Sequence, residues 1–173
     1  MTDPLCVTCE YIDPIHTIDM FARGYLAKRR NDCGGAVVHG DGCVTYMLDV
    51  NFPAWLQRVV HCPSFTFKET VRYDKAKSTC TVEAVCSEAD ATIKMCVEGH
   101  GQGTRVHCTV QVVPEFRGVP VPRFAVKAFI RNRFHQERMR DTTYARVMCA
   151  KRGHGSYDAA ADAAAPGTTM PTP

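Results

Sequence analysis

Apolar and polar residues alternate along most of the chain, first as strands and at the end as one long helix. Residues 5–12 set Leu5, Val7 and Cys9 against Cys6 and Thr8, a short first strand. Asp13-Pro14 breaks it, with Asp13 as the expected N-cap and Pro14 at the first position of a helix. Ile18, Phe21, Ala22, Tyr25 and Leu26 form that helix's apolar stripe, and Met20 lies off it. Lys28, Arg29 and Arg30 are expected to oppose the negative helix end, and residues 31–35 stop the helix. A short strand over 36–39, a turn at 40–42 and a strand over 43–50 follow, the last aligning Val44, Tyr46, Leu48 and Val50.

Residues 52–60 read as a short helix with Pro53 at its first position and Trp55, Leu56, Val59 and Val60 sharing a face. Four alternating segments succeed it, over 65–73, 79–86, 91–98 and 104–113. The turns between them are short, at 74–77, 87–90 and 99–103, which makes neighbours antiparallel. A proline-bearing link, 114–122, leads into a helical pattern over 122–148. From 151 to the end the composition turns to Ala, Gly, Pro and Thr, so residues 1–150 are expected to form one domain and 151–173 a disordered tail.

The fold class expected from this order is α+β, a curved antiparallel sheet gripping a long C-terminal helix. The sheet's apolar face needs cover, and the last helix is the one element long enough to supply it.

Charge sharpens the role of that helix. Net charge is +3, yet residues 117–152 hold ten Arg or Lys against Glu137 and Asp141. Such segregation points to an anionic partner or to a solvated helix face. At 100° per residue, Val126, Phe129, Ile130, Phe134, Tyr144, Val147 and Met148 share one side with Arg133, Glu137, Arg140 and Asp141. Charges under a sheet need partners or water. Either these four pair among themselves, or they face a wet cavity that holds a polar head. In the second case Arg133 and Arg140 suit a phosphate, because guanidinium binds it with paired hydrogen bonds. Phe67, Val71, Ile93 and Met95 from the strands, with Phe129, Ile130 and Phe134 from the helix, would line the apolar part. Trp55, with Phe52 beside it, is either a core anchor or a membrane-contact edge.

This order of elements resembles the START-like (helix-grip, Bet v 1-like) superfamily, whose members usually enclose an apolar cavity between sheet and helix. Within it, VTYMLDVNFPAWLQRVV and FTFKETVRYDKAKSTCTVEAV are similar in pattern to the PRELI/MSF1 group of lipid-transfer proteins. The likeness covers about residues 43–148 and does not extend to the first strand. It implies binding, and transfer between membranes, of a lipid or other hydrophobic ligand. The candidate partners are that ligand, an anionic membrane surface and a small helical protein.

No catalytic motif stands out, and no cofactor or metal is expected. Cys6-x2-Cys9 has metal-knuckle spacing, but Cys33, Cys43, His16 and His39 could complete a site only through tertiary structure. A cyclase- or hydrolase-type enzyme on the same fold is the main alternative, with Glu69, Glu98, Arg72 and His107 as its polar strand residues. A protein or nucleic-acid module using the basic helix is another. Nucleic acid is the weaker half of that reading, since aromatics beside the arginines are limited to Phe124, Phe129, Phe134 and Tyr144. Ten cysteines, no apolar run long enough for a bilayer and no leader-like N-terminus give the expectation of an intracellular protein, cytoplasmic or mitochondrial, with reduced, buried thiols, Cys80, Cys86, Cys96 and Cys108 within strands.

Overall fold

Each alternating segment becomes a strand of one antiparallel sheet. The computed structural model describes residues 3–33, 37–39, 43–86, 88–116 and 118–152. In chain order the elements are β1 (Leu5–Asp13), α1 (Ile18–Asp32), β2 (Val37–Val38), β3 (Val44–Asn51), α2 (Ala54–Val60), β4 (Ser64–Asp74), β5 (Thr79–Cys86), β6 (Ala91–His100), β7 (Gly103–Val112), β8 (Glu115–Phe116), β9 (Val119–Pro120) and α3 (Arg123–Arg152). The seven-stranded sheet runs β1-β7-β6-β5-β4-β3-β2, and β8 pairs with β9 in a separate ribbon. The hairpin registers follow from the short turns. His100 pairs with Gly103 across a two-residue turn, so β6 and β7 each reach further into the turn than the sequence pattern indicates. Gly101 holds φ at +61° there, a conformation glycine adopts without strain.

One face of this sheet is the core. Val7, Val44, Tyr46, Phe65, Val71, Cys80, Val82, Val97 and Val106 are buried on it, in period two along their strands. The 30-residue α3, about 45 Å long, and α1 cover that face. The α+β arrangement, a sheet held against a long C-terminal helix, is the expected one. The two helices cross at Gly24 of α1, where an added Cβ would stand 2.5 Å from Ala145 N and from Asp141 O. Only a glycine lets the backbones approach that closely.

Four expectations need correction. The N-cap of α1 is Thr17, whose Oγ1 accepts the Met20 N–H at 3.4 Å, and not Asp13. Asp13 belongs to β1, opposite Thr104, and its Oδ1 accepts the N–H groups of Ile15 (2.9 Å) and His16 (3.1 Å). That carboxylate holds the turn between strand and helix, so it is not available as a cap. Second, Lys28 and Arg29, expected to oppose the negative helix end, are buried and paired with Glu137 and Glu69. Third, Trp55 and Val59 are exposed, while Leu56 and Val60 are buried. A seven-residue helix has room for one buried i, i+4 pair, not for a four-residue face. Fourth, Cys96 is exposed on the outer face of β6. The nine cysteines from Cys6 to Cys108 form no disulfide; Cys6 and Cys96 are the exposed ones among them. The expected turn at 40–42 and the tail over 153–173 lie outside the described residues, and α3 continues through Arg152. Among the described residues no helix is long and apolar enough to cross a membrane.

Candidate functional site

Between the inner face of the sheet and α3 lies a cavity of about 530 Å³. Its apolar wall comes from Phe65 and Phe67 of β4, Val82 and Ala84 of β5, Ile93 and Met95 of β6, Val110 and Val112 of β7, and Val126, Phe129, Ile130 and Phe134 of α3. Phe52 and Phe116 close one end. The Phe52 ring stands edge-on to Phe65, 4.8 Å between centroids, and Phe116 lies 5.5 Å from Phe65. Asp32, Asp49, Asn51 and Arg140 are the exposed residues of the lining, so the cavity meets solvent between the β3 edge, the end of α1 and α3. Among the described residues only Val44 and Thr45 of β3 pair with β2.

The other end of the cavity is charged, and α1 is the reason. The α1 stripe of Phe21 and Tyr25 continues at helical spacing through Lys28, Arg29 and Asp32. These side chains meet Glu69, the one acidic residue on the inner face of β4, and the charged turns of α3. Arg29 donates to both oxygens of Glu69, Nε to Oε1 at 2.6 Å and Nη2 to Oε2 at 3.1 Å. Tyr25 Oη donates to Glu69 Oε2 at 2.8 Å and accepts from Arg29 Nη2 at 2.8 Å. The Arg29 guanidinium lies 4.5 Å over the Tyr25 ring. The result is a closed buried triad with a forked guanidinium–carboxylate pair at its centre.

A second carboxylate, Glu137, gathers four cations. Lys28 Nζ contacts its Oε2 and reaches Asp32 Oδ2 at 3.0 Å. Arg133 Nη2 lies 3.0 Å from Glu137 Oε1, Arg140 Nη1 3.8 Å from the same oxygen, and Arg29 Nη1 3.8 Å from Oε2. Deeper still, Arg138 Nε stands 2.8 Å from Asp141 Oδ2, and its guanidinium lies over Phe134 and Tyr25 at 5.2 and 5.5 Å, with Nη1 against Met95 Sδ.

The protonation states follow from these contacts. Burial pushes the Tyr25 hydroxyl well above its usual range, which keeps it a donor to Glu69. Burial opposes the charge of Arg29, but Tyr25 and Glu69 more than offset it, and the guanidinium stays charged. Burial likewise opposes ionisation of Glu137, and Lys28, Arg133 and Arg29 overcome it, so this carboxyl is held below its ordinary value. Asp141 moves the other way, up, because its burial outweighs Arg138, Lys28 and Arg29.

Arg133, Arg140, Phe67, Ile93, Met95, Phe129, Ile130, Phe134 and Phe52, named from sequence, all line this one cavity. Val71 does not; it is buried on the inner face of β4 between Glu69 and Tyr73 and is not part of the lining. Trp55 stands apart on the exposed side of α2. Of the polar strand residues, Glu69 alone lines the cavity. His107 lies on the outer face between Glu10 (3.5 Å) and Glu98 (3.7 Å), and Arg72 Nε donates to Cys43 Sγ at 2.9 Å. Cys6 and Cys9, three apart on a strand, point to opposite faces. Among the described residues no group of three His, Cys, Asp or Glu is arranged to hold a metal ion. The basic stripe of α3 is partly consumed within the fold, since Arg138 is buried and Arg133 and Arg140 pair with Glu137. The groups of the charged end that sequence reasoning did not assign to the site are Lys28, Arg29 and Arg138, with Tyr25 placed only in an apolar stripe. Their signal was present in the α1 stripe continuing past Tyr25 and in the 130, 134, 138, 141, 145 series of α3.

The same architecture occurs in solved structures. The chain is similar to the Zhui aromatase/cyclase from Streptomyces sp. R1128, with a TM-score of 0.52 at 13% identity over 90% of this chain and 100% of that one. It is also similar to Ara h 8.0201, with a TM-score of 0.51 at 13% identity over 84% of this chain and 99% of that one. These neighbours belong to the Bet v 1-like/START superfamily, and at such identity the likeness is one of fold. The sequence matches no protein-family model and no curated protein.

Proposed function

We propose that this chain binds a hydrophobic small molecule between its sheet and α3, apolar body against the phenylalanines and polar group toward the charged end. The observation that carries this reading is the cavity itself, apolar along most of its wall, open to solvent, and ionic at one end. Its 530 Å³ falls in the range of about 300–1,000 Å³ usual for small-molecule sites. Size also bears on which molecule. A chain spanning half a bilayer core extends about 15 Å, and at a cross-section of about 20 Å² it occupies about 300 Å³. One chain or a fused-ring system suits the cavity. Binding is favoured over proton-transfer catalysis because Tyr25, Glu69 and Glu137 are each held by cationic partners.

The test is titration with N-phenyl-1-naphthylamine, an uncharged fluorophore. The protein should bind one equivalent, and Ala84→Phe, which fills the cavity from β5, should weaken binding at least about tenfold with an unchanged far-ultraviolet spectrum. Equal binding by wild type and Ala84→Phe would place the fluorophore elsewhere and end the reading.

Exchange of that ligand with a membrane surface is the finer step, and it is supported by Trp55, 44% exposed on α2 beside the exposed Val59. Vesicles containing anionic lipid should shift Trp55 emission to shorter wavelength. An unshifted spectrum at saturating vesicle concentration would remove α2 as the contact.

A further inference from the structure

We infer that the ligand carries one carboxylate, received at the charged end of the cavity by Arg29, Arg133 and Arg140. This deepens the ligand-binding reading and rests on it. Three observations lead here.

First, the charges on the wall do not balance. Lys28, Arg29, Arg133 and Arg140 face Asp32, Glu69 and Glu137, while Arg138 is matched by Asp141. Among the described residues one positive charge is left over. Asp49, the remaining acidic residue of the lining, turns its carboxylate to the outer face of the sheet and accepts from Thr66 Oγ1 at 2.6 Å. It does not supply the missing charge.

Second, Arg29 is 4% exposed and its Nη1 makes no hydrogen bond to a described residue; Glu137 Oε2 lies 3.8 Å away. A buried guanidinium N–H without an acceptor is costly, and a ligand oxygen at this wall would satisfy it. Its other two nitrogens are committed to Glu69 and Tyr25, so the free donor is on the Glu137 side.

Third, the surplus lies at the solvent end. Arg133 and Arg140 share Glu137 as their carboxylate, at 3.0 and 3.8 Å, and Arg140 is mostly exposed. An amphiphile entering with its apolar body foremost would leave its acid among these three guanidiniums. A carboxylate carries the single negative charge that balances the wall and matches the guanidinium fork. A phosphate monoester, with about 1.5–2 negative charges at neutral pH, overshoots it.

The experiment uses cis-parinaric acid and its methyl ester, the same chain with and without the charge, together with a single-chain alkyl phosphate as competitor. At pH 7.5 and fixed ionic strength, wild type should bind the acid about ten- to a hundredfold more tightly than the ester, the range expected of a charge-assisted hydrogen bond. The Arg133→Gln/Arg140→Gln pair should lose most of that preference, the affinity for the acid falling far more than that for the ester. Both side chains are partly exposed, so the variant should fold. Arg29→Lys, which keeps the charge and removes Nη1, should reduce the preference further. Equal affinity of wild type for acid and ester overturns the inference, and so does a preference that survives in both variants. Alkyl phosphate displacing the acid at tenfold lower concentration than the acid itself would overturn the carboxylate in favour of phosphate. Failure of the ester and of N-phenyl-1-naphthylamine alike would defeat the ligand-binding reading, whereas binding of both without preference for the acid defeats this inference alone.

Discussion

Glu69→Ala should lower the folding free energy by about 3–5 kcal/mol, the cost of leaving a buried charge without its partner. Glu69 is 3% exposed and accepts three hydrogen bonds, two from Arg29 and one from Tyr25. Without it the Arg29 guanidinium remains buried under α1 with only the Tyr25 oxygen and a distant Glu137 as acceptors. The loss is a large part of the roughly 5–15 kcal/mol that a domain possesses. It should appear in urea as a lower midpoint at unchanged slope, and on heating as a fall of roughly 6–20 °C in Tm. The pair need not be a net source of stability. Replacing Arg29 by Met, Glu69 by Leu and Tyr25 by Phe together removes all the stranded groups, and this variant should recover most of the loss. A Glu69→Ala unfolding free energy within about 1 kcal/mol of wild type would show that the triad is not closed in solution.

The strands were legible in sequence because each shows one face to the core. Alternation of Phe65, Phe67, Val71 and Tyr73 records that face, and short turns leave little choice of neighbour. The charged end was half legible. Arg133, Glu137, Arg140 and Asp141 stood out because they interrupt an apolar helix side. Glu69 interrupts a strand face in the same way, but its partners Tyr25 and Arg29 lie 44 and 40 residues earlier, and no local pattern marks so distant a pairing. Lys28 and Arg29 were obscured by a competing explanation. Cations in the last turn of a helix are normally explained by the helix dipole. Here the stripe of Phe21, Tyr25, Lys28 and Arg29 carries them onto Glu69 and Glu137 instead. Asp13 is the expected cap and Thr17 the actual one for a related reason. Both residue types cap helices, and only the structure shows that the Asp13 carboxylate is engaged by Ile15 and His16.

Those charged partners meet only because α1 and α3 lie so close, and Gly24 sets that distance. Gly24→Val should therefore cost about 3 kcal/mol or more, at the upper end of overpacking effects. The space above Gly24 is filled by backbone, Ala145 N and Asp141 O at 2.5 Å and Ala145 Cα at 2.8 Å from an added Cβ. A flexible side chain could rotate away; helix backbone cannot, so the two helices must separate. Separation would draw Lys28 from Glu137 and Arg29 from the α3 side of the cavity, which couples this site to the charged end. Gly24→Ala sets two effects against each other. In a helix interior the change favours folding by about 1 kcal/mol through intrinsic propensity. Overpacking opposes it by about 1–3 kcal/mol. The backbone contact should win, leaving the alanine variant less stable than wild type, while Asn31→Ala on the exposed side of the same helix should be neutral or stabilising. Urea unfolding of the three variants measures all of this. A Gly24→Ala protein more stable than wild type by the full propensity gain would mean that the helices do not cross at this distance.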